Sequence, residues 1–259
     1  MKYNDNFAKK FMNSFIGKKE EKKYEVAIPH IRLMLKDLIN VRDEDWGMYA
    51  FRRDPLHGKF NREEKLELIE KANLCGSEYA KKIREENGDI DVYEIAKRIG
   101  IEVDYPQRPN GGGHIIFAQF VNPNKVTIFK DSVDKALDLI EKEKLNELFN
   151  NVNIEEILLA HEIFHYLEEH NGEDMFTKIE KITLWKLGPF KNDSNIVCLG
   201  EIAGMAFAKE LLELPYSPYI LDSFLVYLYH PKVGYDLYKE IIKIKNIAEN
   251  FENKNIETL

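Results

Sequence analysis

The residues best suited to chemistry are His161-Glu162-Ile163-Phe164-His165. Histidines four apart share one face of a helix, where both imidazoles can reach one metal ion. Glu162 follows the first of them, and its longer side chain can reach the attacking water as a general base. The flanking sequence predicts the helix. Asn153 is a good N-cap, and Glu156 stands three residues on, the spacing of a capping box. Ile154, Leu158, His161 and His165 fall on one stripe, so the ligand face is expected to be the buried face. An amphipathic helix with two half-buried histidines is the plainer alternative, but it must satisfy the imidazole nitrogens some other way.

A catalytic zinc site has three protein ligands and an open position. His170 lies five residues past His165, with no glycine between them to turn the chain back as H-E-x-x-H-x-x-G-x-x-H does. It reads as a helix-end histidine suited to the dipole. Glu201 is the better third ligand. It opens Glu201-Ile202-Ala203-Gly204-Met205-Ala206-Phe207-Ala208, where Gly204 and Ala208 share its helical face. Small residues there let this helix approach the first closely enough to bring the carboxylate to the metal.

These residues resemble the ImmA/IrrE family of zinc-peptidase-like proteins. Its members show A-H-E-x-x-H on one helix and, some tens of residues later, E-x-x-A-N-x-F-A followed by L-L-x-P. This chain has Ala160 through His165, then Glu201, Phe207-Ala208, Leu211-Leu212 and Pro215. Asp91 to Val103 looks like the helix and strand that often open the family's domain. The resemblance covers about residues 89–215, roughly half of the chain. It departs from the pattern at Gly204-Met205, at Ile163-Phe164, and at Glu213-Leu214, which adds a residue before Pro215. None of these removes a ligand, although Met205 could alter the groups that orient the ligands.

The resemblance implies a zincin-like α+β fold, with His161, His165 and Glu201 holding Zn2+ and Glu162 as general base. The implied activity is that of a zinc endopeptidase acting on a specific protein or peptide. In some members the substrate is a transcriptional repressor. The helix-turn-helix often joined to the family is not apparent here. A second class of function is a metal-retaining binding or regulatory module, toxin–antitoxin or phage-linked, without proteolysis. The intact Glu162 argues against it, because holding a metal needs no general base. Hydrolysis also needs a group to stabilise the oxyanion; Tyr166, Tyr216, Tyr219, His114 and His230 are the candidates. His30 and His57 are assigned no site role.

The elements around these motifs are mostly helical. Phe7, Phe11 and Phe15 mark one face of a short helix, and the lysine- and glutamate-rich run at 17–23 reads as a solvated turn. Ile28, Ile31, Met34, Leu35 and Leu38 predict a second helix. Residues 46–60, with Pro55 and Gly58, read as a loop, and 61–87 as a helix. A short helix at 91–98 stops at Gly100. The segment 101–105 alternates as a strand, and 109–113 is a glycine-rich turn. Strands are expected at 114–121 and 126–130, joined by a hairpin turn at 122–125. The result is a small antiparallel sheet set among helices. A helix should follow over 132–149, and the spacing of Phe224, Tyr227 and Leu228 predicts another near the end. Trp46 and Trp185 are expected in the core. The chain thus divides into a helical N-terminal extension (1–88), the zincin-like domain (89–215) and a C-terminal helical segment (216–259) packed on it.

Composition narrows the classes further. The 259 residues are 44% hydrophobic and 32% charged, enough to bury a core. A net charge of -8 argues against non-specific nucleic-acid binding, which draws its affinity from neutralised phosphates. Cys75 and Cys198 are too few and too far apart for a disulfide framework or a cysteine zinc knuckle. No apolar run approaches the ~18–20 residues of a membrane helix, and no secretory signal is evident at the N-terminus. The expected setting is cytoplasmic, with reduced thiols, no membrane partner and no direct contact with nucleic acid.

Overall fold

The computed structural model describes residues 28–88, 90–106 and 117–256. The phenylalanine stripe, the charged run at 17–23, the glycine-rich turn and His114 lie outside them. Described in chain order, the helices before the first strand are α1 (Ile31–Ile39), α2 (Asp43–Phe51), α3 (Arg62–Asn87) and α4 (Val92–Arg98). Strands β1 (Glu102–Asp104), β2 (Ala118–Val121) and β3 (Lys125–Ile128) then lead into α5 (Lys130–Lys142) and α6 (Ile154–His170). A single turn, α7 (Phe176–Ile179), precedes strands β4 (Lys181–Leu187) and β5 (Phe190–Asn195). Helices α8 (Cys198–Leu211), α9 (Ile220–Tyr229) and α10 (Pro231–Ile256) complete the chain, which is therefore α+β.

Local chemistry accounts for several boundaries. Asn61 and Glu64 form a reciprocal capping box at the start of α3, and Asp91 caps α4 by accepting from the Glu94 amide. Asn153 caps α6, but it accepts from the amide of Glu155; the capping box expected with Glu156 does not form.

The first sheet has the order β1-β3-β2. The pair β2–β3 is antiparallel, as its tight turn requires, with Phe120 opposite Val126. β1 runs parallel to β3 on the other edge, with Val103 opposite Val126. The sheet is thus mixed, not antiparallel. Alternation in β1 marks a strand but carries no information on its partner or direction.

Four other expectations need correction. Residues 46–51 are helical, inside α2, with Trp46, Tyr49 and Phe51 buried. Pro55 and Gly58 make the whole stretch look like a loop, but its first part is helical, and Gly47 lets α2 meet α3: a Cβ there would lie 2.4 Å from Ile69 Cγ2. Lys130 opens α5 instead of ending β3. That helix stops at Lys142, and Lys144 takes a positive φ of 53°. Leu145 and Phe149 still bury themselves from the irregular stretch that follows, which prolongs the apolar periodicity past the helix. Finally, β4 and β5 form a hairpin unforeseen in the sequence. Trp185, Leu187 and Phe190 near its tip are 52%, 75% and 69% exposed, so Trp185 is not a core residue. Only Ile182 and Leu184 of β4 are half-buried. Alternation therefore covers only the first half of β4, too short a run to mark a strand, and is lost where the strand projects into solvent.

The largest hydrophobic cluster joins residues from all three stretches of the chain. Leu38, Trp46 and Ile69 meet Ile154, Ile157 and Ile202, and these meet Tyr216, Phe224 and Ile241. A second cluster ties Ile95, Val126 and Ile128 to Ile163, Phe164 and Phe207. Helices α6 and α8 contribute to both, so the two elements that carry the candidate ligands run through the middle of the packing. No helix among the described residues is long and apolar enough to cross a membrane.

Candidate metal centre

Most of α6 is buried on several sides. Ile154, Ile157, Ala160, Ile163, Phe164 and Leu167 pack inward, and Glu155 and Glu156 in the first turn suit the positive end of the helix dipole. The two histidines sit one turn apart with ring centroids at 4.7 Å and planes at 83°. Their Nε2 atoms face each other at 3.0 Å. His165 is buried and His161 nearly so.

Helix α8 brings the carboxylate. Its first residue, Cys198, donates its backbone N–H to Asp54 Oδ2 at 2.9 Å, which fixes the start of the helix. Glu201 lies in the first turn. Its Oε2 is 3.4 Å from His161 Nε2, and its Oε1 is 3.7 Å from His165 Nε2. One ligand atom from each of His161, His165 and Glu201 lies within 4.8 Å of the other two.

Two glycine contacts position α8. On one side Gly76 of α3 faces it: a Cβ there would lie 2.0 Å from the Ala203 carbonyl oxygen. On the other side Gly204 faces α6: a Cβ there would lie 2.9 Å from both Cε1 and Nδ1 of His161. Gly204 therefore permits the close approach that places Glu201 against the imidazoles.

The electrostatics of the cluster favour a cation. Burial alone would lower the His165 imidazole, but Glu168, Glu201 and Glu162 outweigh it and raise it to about 9. Burial pushes the Glu201 carboxyl up, while contact with His161 and the charge of His165 hold it below the usual carboxylate range. Burial also pushes the Glu162 carboxyl up, against the pull of both imidazoles. Two ring nitrogens and a carboxylate are donors suited to zinc, a set of three that leaves a coordination position open. His161 Nδ1 and His165 Nδ1 are buried and make no hydrogen bond among the described residues. The Nε2 atoms that face one another are thus the ones available for a shared ion.

Glu162, next to the first histidine, is buried and points toward the sheet, where the backbone amide of Phe120 in β2 lies beside its carboxylate. Among the described residues β2 is an edge strand of its sheet. The oxyanion candidates separate clearly. Tyr166 donates its hydroxyl to the Ile99 carbonyl, and Tyr216 donates to the Phe149 carbonyl. His230 is exposed at the end of α9. Tyr219 is buried against Trp46 and Tyr49; its hydroxyl has no partner among the described residues, and Glu201 is the nearest charge in effect after burial itself. His170 ends α6, exposed and stacked on Tyr166, outside the cluster.

Sequence reasoning missed Glu168. It sits one turn beyond His165, with Oε2 3.6 Å from His165 Nδ1, and both residues are buried. The signal was its spacing of three from a candidate ligand. Comparison with family models, curated proteins and solved structures finds no match to this chain.

Proposed function

We infer that the chain is a zinc-dependent endopeptidase with a zincin-like metal centre, acting on a specific protein in the manner the ImmA/IrrE resemblance implies. The observation that carries this reading is the convergence of His161, His165 and Glu201 within 4.8 Å, beside a buried Glu162 that none of the three requires as a ligand. A bound zinc would polarise the scissile carbonyl and make water more acidic. His161, His165 and Glu201 would hold it. Glu162 accepts the proton of the attacking water and delivers it to the leaving amine, a role served by a carboxyl that burial holds above its ordinary range. Edge strand β2, whose Phe120 amide adjoins Glu162, offers main-chain groups along which an extended peptide can lie. Tyr219, whose buried hydroxyl has no hydrogen-bond partner among the described residues, is the candidate to steady the developing negative charge.

The test compares the native protein with Glu162→Gln. Both should carry about one zinc per chain after purification without added metal, because Glu162 is not one of the three ligands. Cells expressing the native form should contain a processed protein fragment that cells expressing the variant lack. Equal processing by both forms rejects Glu162 as the base. Zinc retained by both forms with no fragment in either supports the binding-module reading instead. Stoichiometry near zero, unchanged by His161→Ala, rejects the metal centre itself.

A further inference from the structure

The two imidazoles are held in different ways, and the difference assigns a role to Glu168. Neither Nδ1 makes a hydrogen bond among the described residues, and His161 is backed by the bare Cα of Gly204. His165 has a carboxylate behind it. Glu168 Oε2 is 3.6 Å from His165 Nδ1, on the side of the ring away from the Nε2 that faces His161 and Glu201. We propose that Glu168 is the positioning residue of the metal centre: it sets the ring orientation and tautomer of His165, so that Nε2 presents its lone pair to the ion. This rests on the metal reading above and goes beyond it, because Glu168 touches neither the ion nor the reacting atoms.

Glu168 is itself held in place. It is buried, its side chain being only 11% exposed. Its carboxylate lies against the first turn of α8, where a Cβ on Gly200 would meet Oε1 at 3.0 Å and Oε2 at 3.3 Å. A side chain at position 200 would displace it. The positive end of the α8 dipole favours a carboxylate at that turn. The buried Thr177, from α7, stands beside the same group. Burying a carboxylate is costly unless something charged or hydrogen-bonding offsets it, and His165 is the group at hand. A carboxylate that orients a ligating histidine fixes its tautomer and raises its basicity, and losing such a partner lowers metal affinity by roughly 10–100-fold.

The experiment measures zinc affinity of the full chain by competition with a chromogenic chelator. It compares the native protein, Glu168→Gln, Glu168→Ala and the exposed neighbour Glu169→Gln. The visible spectrum of each cobalt-substituted form and its unfolding temperature without metal are recorded alongside. Both Glu168 variants should bind zinc roughly 10–100-fold more weakly. Glu168→Gln should also shift the cobalt spectrum while keeping its metal-free unfolding temperature, and Glu169→Gln should match the native protein throughout. Glu168→Gln with native zinc affinity and a native cobalt spectrum overturns the assignment. So does a loss of affinity that tracks an equal loss of metal-free stability, which would make Glu168 a packing residue. A native protein that takes up no zinc overturns both this assignment and the metal reading beneath it.

Discussion

Gly204→Ala tests whether close helix approach sets the geometry of His161. A Cβ at that position would lie 2.9 Å from Cε1 and Nδ1 of the ring and 3.5 Å from Phe164 Cδ1. Carbon atoms settle at about 3.5–4.0 Å, so the ring must yield by roughly 0.6–1.1 Å. What yields is a side chain and not backbone, so α6 and α8 can stay where they are while the imidazole turns out of its well. Such a rotation costs roughly 0.5–1.5 kcal/mol. Replacing glycine by alanine inside a helix returns roughly 0.5–1 kcal/mol. The two nearly cancel, and metal-free stability should change by less than about 1 kcal/mol. Metal binding has no such compensation. His161 Nε2 lies 3.4 Å from Glu201 Oε2 and 3.0 Å from His165 Nε2, and a displaced ring spoils both relations. Sites of this kind tolerate about 0.5 Å of error, so zinc affinity should fall by about tenfold or more. Chelator competition and denaturant unfolding on the same preparation read the two quantities separately. Native affinity in a normally folded variant refutes the reasoning, as does a stability loss large enough to explain the weaker binding.

Gly76→Ala should behave in the opposite way. Its Cβ would lie 2.0 Å from the Ala203 carbonyl oxygen and 2.9 Å from the Phe207 nitrogen, both backbone atoms that can move only with α8. Overpacking of this sort costs typically about 1–3 kcal/mol or more, read as a lowered denaturation midpoint with an unchanged slope. Asp222→Asn should raise stability at neutral pH. Burial lifts the Asp222 carboxyl to about 6, despite the opposing charge of Arg53 and the hydrogen bond donated by Tyr49. Its folded value exceeds its unfolded value of ~3.9, so its contribution is intact below that pH and lost as pH rises through 6. The advantage of the variant should therefore grow between about pH 4 and 6 and level off near 2–3 kcal/mol, seen by denaturant unfolding across that range. A pH-independent difference would assign the effect to packing.

Much of the site was legible because its signals are local. The spacing of His161 and His165 and the cap at Asn153 predict α6 from within a single turn or two. The run from Glu201 to Ala208 shows its small face in the sequence itself. Glu168 escaped notice because an i, i+3 glutamate on a helix is ordinary until Gly200, far along the chain, is seen to make room for its carboxylate. Gly47 shows the same limit from the other side. Residues 46–60 read as a loop on Pro55 and Gly58, and only the contact with Ile69 explains a glycine inside the buried helix at their start. The β4–β5 hairpin left only a short trace, half-buried Ile182 and Leu184 alternating with exposed neighbours, because the rest of β4 is exposed. Trp185 looked like core only because tryptophan usually is.

The plainer explanation of the motif, two histidines half-buried for packing alone, can be weighed on charge. Two buried carboxylates, those of Glu162 and Glu168, and the partly exposed carboxylate of Glu201 gather around His161 and His165. Packing alone would fill such a space with apolar groups, because each buried carboxylate carries a desolvation penalty of several kcal/mol. Protons supply only part of the balancing charge, since two Nε2 atoms 3.0 Å apart share one proton between them and cannot each hold one pointing at the other. A divalent ion held by His161, His165 and Glu201 would supply two positive charges where the acids converge. The arrangement of acids is therefore costly for a packing helix and appropriate for a metal centre. That difference should appear as a rise in unfolding temperature with added zinc that is absent in Glu201→Gln, because a ligand that binds only the folded state stabilises it by mass action.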